Sequence, residues 1–216
     1  VLFRSLLAEL IGYDSIIFSN ERSADFGNFK YLGLEVNHQW CKSSEAENMV
    51  NEYIKKYITP DISTKSLLRE YSELEIVKRF VKYPKYLNYV TSCNTYFWLP
   101  RPIQFLSYKG YWCKRCPKCV FLFACFAAFL PKKEVVNMFG DDLYNKKHLL
   151  LLIKRILGVE GFKPLDCVGE PEEMILAMHY AFIGGEYANE PAMKISEKYF
   201  PADYNFEELK NKVFEK

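Results

Sequence analysis

No glycine-rich phosphate loop occurs in the chain. There is neither a G-x-x-x-x-G-K-[ST] run nor a G-x-G-x-x-G run, and Gly184-Gly185 reads as a helix-end signal. Nothing in the chain by itself would hold a triphosphate. An excess of one charge is also missing: Lys and Arg number 29 against 27 Asp and Glu, a formal net charge of +2. No broad polyanion-binding surface follows, so nucleic acid is not the default partner. Long apolar runs are absent too. The best, Val120 to Leu130, has the length of a buried helix and is too short to span a bilayer, so no membrane partner is expected. The N-terminus carries no secretory signal, and the cysteine count is odd, at seven; together these point to a reducing, cytoplasmic setting. Val1 stands where an initiator Met would, and Leu2 to Leu10 has a helical pattern with no capping residue ahead of it. The expectation is a chain that begins in mid-fold.

What is present is globular. A hydrophobic content of 50% and an aromatic content of 17% are too high for disorder. A chain of 216 residues can bury one sizeable core, or one domain with an appendage.

The organising stretch is Trp112-Cys113-Lys114-Arg115-Cys116-Pro117-Lys118-Cys119, with Cys93 upstream. Three thiols at two-residue intervals plus a fourth have the spacing that lets sulfurs converge on one tetrahedral ion, and zinc suits a Cys₄ set best. Other readings compete. Free cysteines are commonly small buried apolar residues, although Lys114, Arg115 and Lys118 would stabilise thiolates. The bacterial iron–sulfur run wants a cysteine three residues further on, where Phe123 stands, and so needs Cys93 as its fourth ligand. Disulfides are the third alternative, disfavoured inside a cell.

Along the chain, the opening helix is predicted to end at Gly12, followed by Ser15 to Phe18 as a short buried strand. Helix followed by buried strand is the α/β signature. Ser19-Asn20-Glu21-Arg22-Ser23-Ala24 then lies where open α/β sheets bind ligands, beyond the carboxyl end of a strand; a solvated loop is the alternative. Gly33 to His38 reads as a second extended piece. Ser44 is predicted to cap a helix from Glu45 to about Tyr57, with Met49, Tyr53 and Ile54 on one face and Glu47 and Asn51 elsewhere. His38 is a candidate general base or ligand, or else a hydrogen-bonded structural residue. Arg69 has the fork to clamp a carboxylate, or is simply a surface Arg. Ser72 to Phe80 reads as an amphipathic helix with Leu74, Val77 and Val81 inward, and Tyr96 to Tyr111 as an aromatic loop between the first two thiols. Beyond Cys119 helices are predicted at 120–130, 134–139, 146–157, 172–183 and 206–214. Cys167 lies in a turn between Asp166 and Glu170, whose charges would raise its pKa; it is a candidate nucleophile or a buried structural thiol.

Taken together, several segments resemble the UDP-N-acetylmuramoyl-L-alanyl-L-glutamate epimerases: Ser19 to Ala24, Gly27-Asn28, Gly33 to Gln39, Ser92-Cys93-Asn94, the Trp112 to Phe121 cluster, Phe139-Gly140 and Cys167-Val168-Gly169. That family is similar to pyrophosphate-forming ATPases of the adenine-nucleotide α-hydrolase type. The cluster is also similar to that of 7-cyano-7-deazaguanine synthases, in which four thiols hold zinc. The resemblance implies an α/β fold, here an incomplete PP-loop ATPase-like domain with a Cys₄ zinc knot and a mostly helical C-terminal region. Residues 1–92 would be the C-terminal part of the nucleotide-binding domain, and 93–216 the cluster and helical region.

The implied activity is ATP- and Mg²⁺-dependent conversion of the terminal L-Glu of UDP-MurNAc-L-Ala-L-Glu to D-Glu, with structural Zn²⁺. Ser19, Asn20, Glu21 and Arg22 would face nucleotide or substrate, Asn37 and His38 would lie nearby, and Arg69 would take a substrate carboxylate. His38, Glu21 and Cys167 are the candidates for the proton relay. The family's Ser-Gly-Gly-x-Asp-Ser type loop is absent, so this chain alone is not expected to bind ATP productively. Two alternatives remain: a deazaguanine synthase-like amidating enzyme, and a zinc-stabilised binding module, against which near-zero net charge counts.

Overall fold

The structure is a computed structural model that describes residues 2–95 and 111–215. Most of the predicted aromatic loop, residues 96–110, lies outside them. The described residues form a mixed α/β protein, predominantly helical with small sheets. They separate into two units, the first ending at Ser72 and the second running from Glu73 to Glu215.

In the first unit, α1 (Leu2–Ile11) stops at Gly12, whose φ of +82° is the left-handed conformation that glycine adopts without strain. Strand β1 (Ser15–Phe18) follows. A hairpin of β2 (Phe29–Tyr31) and β3 (Leu34–Val36) turns through Leu32 and Gly33, both at positive φ (49° and 82°), as a two-residue turn of matching twist requires. Gly27 supports it from below: its N–H donates to Glu35 Oε1 at 2.5 Å, and a Cβ there would collide with the Glu35 side chain.

Helix α2 (Ser44–Tyr57) is capped by Ser43, one residue earlier than the sequence suggests, with Ser43 Oγ accepting from the Ala46 N–H at 3.1 Å. Glu45 and Glu47 in its first turn and Lys55 and Lys56 in its last complement the helix dipole. The helix connects β1 to β4 (Ser63–Ser66), which pair in parallel from Ser15↔Ser63 to Phe18↔Ser66. This is a β–α–β unit.

Two expectations need correction here. Strand β1 is not buried: Ile16 packs on the small core of Ala8, Ile54 and Ile62, but Ile17 is 46% exposed. The strand has a single neighbour among the described residues, so its apolar alternation covers only one face. On α2, Met49 and Tyr53 are exposed while Ile54 is buried. The face toward β4 carries Glu47 and Asn51 instead, one turn apart. Asn51 exchanges two hydrogen bonds with the Thr64 backbone, accepting from its N–H at 2.6 Å and donating to its carbonyl at 2.8 Å. Glu47 Oε1 accepts from the Ser66 N–H at 3.1 Å. Thr64 and Ser66 alternate outward from β1, so both outward main-chain positions meet α2 side chains.

The second unit is helical: α3 (Glu73–Phe80), α4 (Pro117–Ala127), α5 (Lys132–Phe139), α6 (Leu150–Ile156), α7 (Pro171–Ile183), α8 (Pro191–Tyr199) and α9 (Phe206–Phe214). Residues 73–92, grouped by sequence with the first part, contribute Leu74, Val77 and Leu87 to this unit's core. Helix α4 is apolar on every side, and each residue from Lys118 to Ala127 is buried. Helix α7 packs along it, and α3, α5 and α6 surround it.

Aromatic rings fill the space between helices. Trp112 stacks on Phe139 at 4.3 Å between centroids, and Phe123 meets Phe139, Tyr144 and Tyr187 edge-on. Burying a side chain such as Phe123 is worth about 1.5–3 kcal/mol before any contribution from packing. Helix α6 is shorter than the predicted 146–157, because residues 147–149 wind into a 3₁₀ turn ahead of it. Among the described residues no helix is long and apolar enough to cross a membrane.

Candidate functional site

In the second unit, the chain after the 3₁₀ turn Pro84–Tyr89 runs extended into Cys93. Thr91 Oγ1 donates to the Tyr111 carbonyl at 2.6 Å, tying this strand of chain to the one that carries Cys113. Between Cys113 and Cys116 the backbone reverses through Lys114, at φ +65°. Lys114 Nζ donates to the Gly140 carbonyl at 3.3 Å, anchoring the turn. Cys116 then caps α4, Pro117 opens it and Cys119 sits in its first turn.

The four sulfurs of Cys93, Cys113, Cys116 and Cys119 all lie within 4.8 Å of one another. Cys93 Sγ is 3.9 Å from Cys116 Sγ, and Cys113 Sγ is 3.8 Å from Cys119 Sγ. An ion about 2.3 Å from each of four tetrahedral sulfurs would hold them about 3.8 Å apart. The spacing therefore fits zinc. Backbone N–H groups of Cys113 and Cys116 donate to the sulfurs of Cys93 and Cys113, both at 3.3 Å, as they would to thiolates. Cys93, Cys113 and Cys119 are buried and Cys116 half-buried; none of the chain's seven cysteines is in a disulfide.

A cation would relieve the electrostatics of these four thiols. The Cys116 and Cys119 thiols donate to Cys113 and hold its pKa far below the ordinary thiol range. Cys93 is lowered to about 7: contact with Cys113 pushes it up, and the Cys116 and Cys119 thiols more than offset that. Cys116 and Cys119 are pushed up, first by their bonds to Cys113. Four thiols this close cannot all ionise unless a divalent cation neutralises them.

Next to the cluster, Lys118 pairs with Glu73, both side chains nearly buried. Glu173, fully buried on α7, accepts from the Leu74 N–H at 2.8 Å and the Glu170 N–H at 3.0 Å, so one carboxylate serves the first turns of both α3 and α7. Burial, then the charge of Glu73, pushes its pKa up to about 7. The Glu170-x-x-Glu173 capping-box spacing was readable in the sequence; its reach to α3 was not.

The first unit has its own recess of about 170 Å³ at the carboxyl ends of β1 and β4, walled by Phe18, Asn20, Lys42, Glu47, Val50 and Thr64. Asn20 Nδ2 donates to Ser66 Oγ at 3.1 Å, and Ser66 Oγ donates to Glu47 Oε2 at 2.5 Å. Arg69 closes this network. Its guanidinium meets Glu47 Oε2 at 3.2 Å and Asp25 at 3.5 Å, and donates to the carbonyls of Glu21 at 3.2 Å and Lys42 at 2.7 Å. The structure thus brings Asn20, Glu21 and Arg69 together.

Arg22 begins the 3₁₀ turn Arg22–Asp25, its N–H bonded to the Tyr71 carbonyl at 3.0 Å. Asn37 supports the same turn, Nδ2 donating to the Ala24 carbonyl at 2.8 Å. Ser19 and His38 are exposed, and the His38 N–H bonds to Asn28 Oδ1 at 2.8 Å. Cys167 belongs to the second unit, half-buried beside Asp166, which accepts from Asn94 next to Cys93. Sequence reasoning missed Glu47, the carboxylate at the centre of the network, because it was placed off the working face of α2.

Comparison with known proteins adds the family. A family model described as the MurL C-terminal domain matches residues 89–209, more than half of the chain. The chain belongs to the MurL family. A second model, the MurL N-terminal domain, matches residues 2–67. Three proteins named UDP-N-acetyl-alpha-D-muramoyl-L-alanyl-L-glutamate epimerase are similar to this MurL family chain. The one from Salinispora tropica is 38% identical over 78% of this chain and 36% of its own length. Those from Micromonospora sp. and Xanthomonas oryzae pv. oryzae are each 36% identical, over 83% and 88% of this chain and 39% and 41% of theirs. The chain therefore spans about two fifths of the length of the curated relatives it matches. No solved structure matches.

Proposed function

We infer that this chain carries part of an ATP- and Mg²⁺-dependent epimerase, a cytoplasmic isomerase that converts the terminal L-Glu of UDP-MurNAc-L-Ala-L-Glu to D-Glu in peptidoglycan precursor synthesis. The observation that carries the reading is the pair of MurL matches, N-terminal domain on residues 2–67 and C-terminal domain on 89–209, in that order. A PP-loop ATPase-like arrangement of the first unit is supported by the parallel β1–α2–β4 unit with its polar recess at the strand ends.

The chemistry is coherent. The Cα–H beside a free carboxylate is very weakly acidic, because deprotonation sets a second negative charge next to the first. ATP with Mg²⁺ would supply carboxylate activation by adenylation, which removes that charge. A base then takes the Cα proton, an acid returns one on the other face, and water cleaves the acyl adenylate to free AMP, pyrophosphate having left when the adenylate formed. Of this chain's residues, Asn20 and Lys42 line the recess as a donor and a cation, and Glu47 and Arg69 hold its wall in register. Ser19, Glu21 and Arg22 border the same loop, and Asn37 supports it. His38, Glu21 and Cys167 are the titratable groups assigned to the proton relay. Cys93, Cys113, Cys116 and Cys119 would hold a structural zinc ion, whose role is to fix the extended segment and the start of α4 together.

The test is to incubate the natural full-length protein that carries this chain with UDP-MurNAc-L-Ala-L-Glu, ATP and Mg²⁺ in D₂O. The reading requires AMP release, deuterium at the glutamate Cα and D-Glu after hydrolysis. AMP released with a new amide and no deuterium would establish the amidating alternative instead.

A further inference from the structure

The second unit holds a cleft distinct from the thiol cluster. It lies where α7, α8 and the start of α9 meet, has a volume of about 370 Å³, and is walled by His179, Phe182, Phe200 and Phe206, with Ser196 and Glu197 among them. Size and lining match a small-molecule site: mostly apolar, with three phenylalanines and a few polar groups among them.

The walls are held in place. The His179 ring stacks on Phe206 with centroids 3.5 Å apart and planes 11° apart. Phe200 meets Tyr204 edge-on at 5.2 Å, and its N–H bonds to the Ser196 carbonyl at 2.8 Å. The polar groups, by contrast, are available. Among the described residues neither ring nitrogen of His179 has a protein hydrogen-bond partner, and Glu197 makes no ion pair. Burial lowers the His179 pKa, with Glu207 acting against it, so the ring favours its neutral form, with one donor and one acceptor nitrogen.

We propose that this cleft binds a planar nitrogen heterocycle of the nucleobase class, stacked against the aromatic walls with its polar edge read by His179 and Glu197. Uracil presents its ring N–H, and adenine its exocyclic amino N–H, beside an acceptor. A carboxylate takes the N–H, and an imidazole N–H serves the acceptor. Aromatic walls stack either base. An aliphatic ligand would leave both polar groups unanswered, and an anionic one would face Glu197.

The base itself is argued from the cleft; only its source, the uracil of a UDP-linked substrate or the adenine of ATP, rests on the epimerase reading. The experiment titrates the chain, without turnover, with UMP, AMP and ribose 5-phosphate in separate arms, reading the His179 ring protons by NMR. The proposal expects UMP, AMP or both to shift those resonances saturably and ribose 5-phosphate to leave them unchanged; the stronger arm identifies the source. Phe200→Ala should weaken binding about tenfold. Glu197→Gln, at an exposed position, should weaken it at least about threefold. The proposal is overturned if neither nucleotide shifts His179, if both variants bind like the natural chain, or if the shifts follow protein concentration alone, which would make a second copy of the chain the occupant. Loss of epimerase activity elsewhere would leave these binding results standing.

Discussion

Every residue of α4 from Lys118 to Ala127 is buried in the second unit, whereas the apolar cluster buried in the first unit, among the described residues, is only Ala8, Ile54 and Ile62. The first unit is instead held by side chains bonded to backbone: Asn51 to Thr64, Glu47 to Ser66, Asn37 to Ala24, and Arg69 to the carbonyls of Glu21 and Lys42. The contrast teaches that the same chain specifies shape in two ways. One is by apolar volume and four thiols, where a lost atom leaves a cavity. The other is by directional bonds, where a lost partner strands a polar group.

The largest expected effect is on the thiol cluster. Cys113→Ser should abolish stoichiometric zinc, and with it the cooperative unfolding of the second unit, since structural zinc contributes on the order of 10 kcal/mol in small domains. Metal analysis and thermal melts with and without chelator check this; an unchanged melt in a metal-free variant would remove zinc from the account. Phe123→Ala comes next, with a loss of about 3–5 kcal/mol in urea unfolding followed by aromatic circular dichroism.

Glu173 sharpens the comparison because it is a polar device inside the apolar unit. Its carboxyl is raised from 4.5 to about 7 in the folded chain. The native state therefore keeps a proton that the unfolded state has lost between those values. The group's contribution is fully present below about pH 4.5, falls as pH rises through about 7, and is level beyond. The change is about 3 kcal/mol. Glu173→Gln should flatten that part of the stability profile; parallel profiles for the two proteins would sink the assignment. The smallest effect is expected in the first unit, where Arg69→Met should cost about 1–3 kcal/mol by removing the cation from Glu47 and the guanidinium donors from the carbonyls of Glu21 and Lys42. Hydrogen exchange at the Glu21–Asp25 and Lys42 amides should locate the loss there.

Legibility followed the same division. The thiol spacing, the helices around α4 and the inward set Leu74, Val77 and Val81 were written in periodicity and stand in the structure. Strand β4 was invisible because Ser63-Thr64-Lys65-Ser66 has no apolar alternation; its place comes from pairing with β1 and from α2 side chains. Strand β2 and helix α8 carried patterns too short or too mixed to register. In the recess, Asn20 and its loop were found by their position after a strand, but no local rule links Arg69 to Asp25 and Glu47, which lie far from it in sequence.

The Asn51 and Glu47 contacts have a topological consequence. By occupying the outward main-chain positions of Thr64 and Ser66, they leave β4 no ladder to offer, so the sheet is sealed on that flank and can grow only past β1. Any strand that enlarges it must therefore join beside Ser15–Phe18, and stray strands from other molecules are refused at β4.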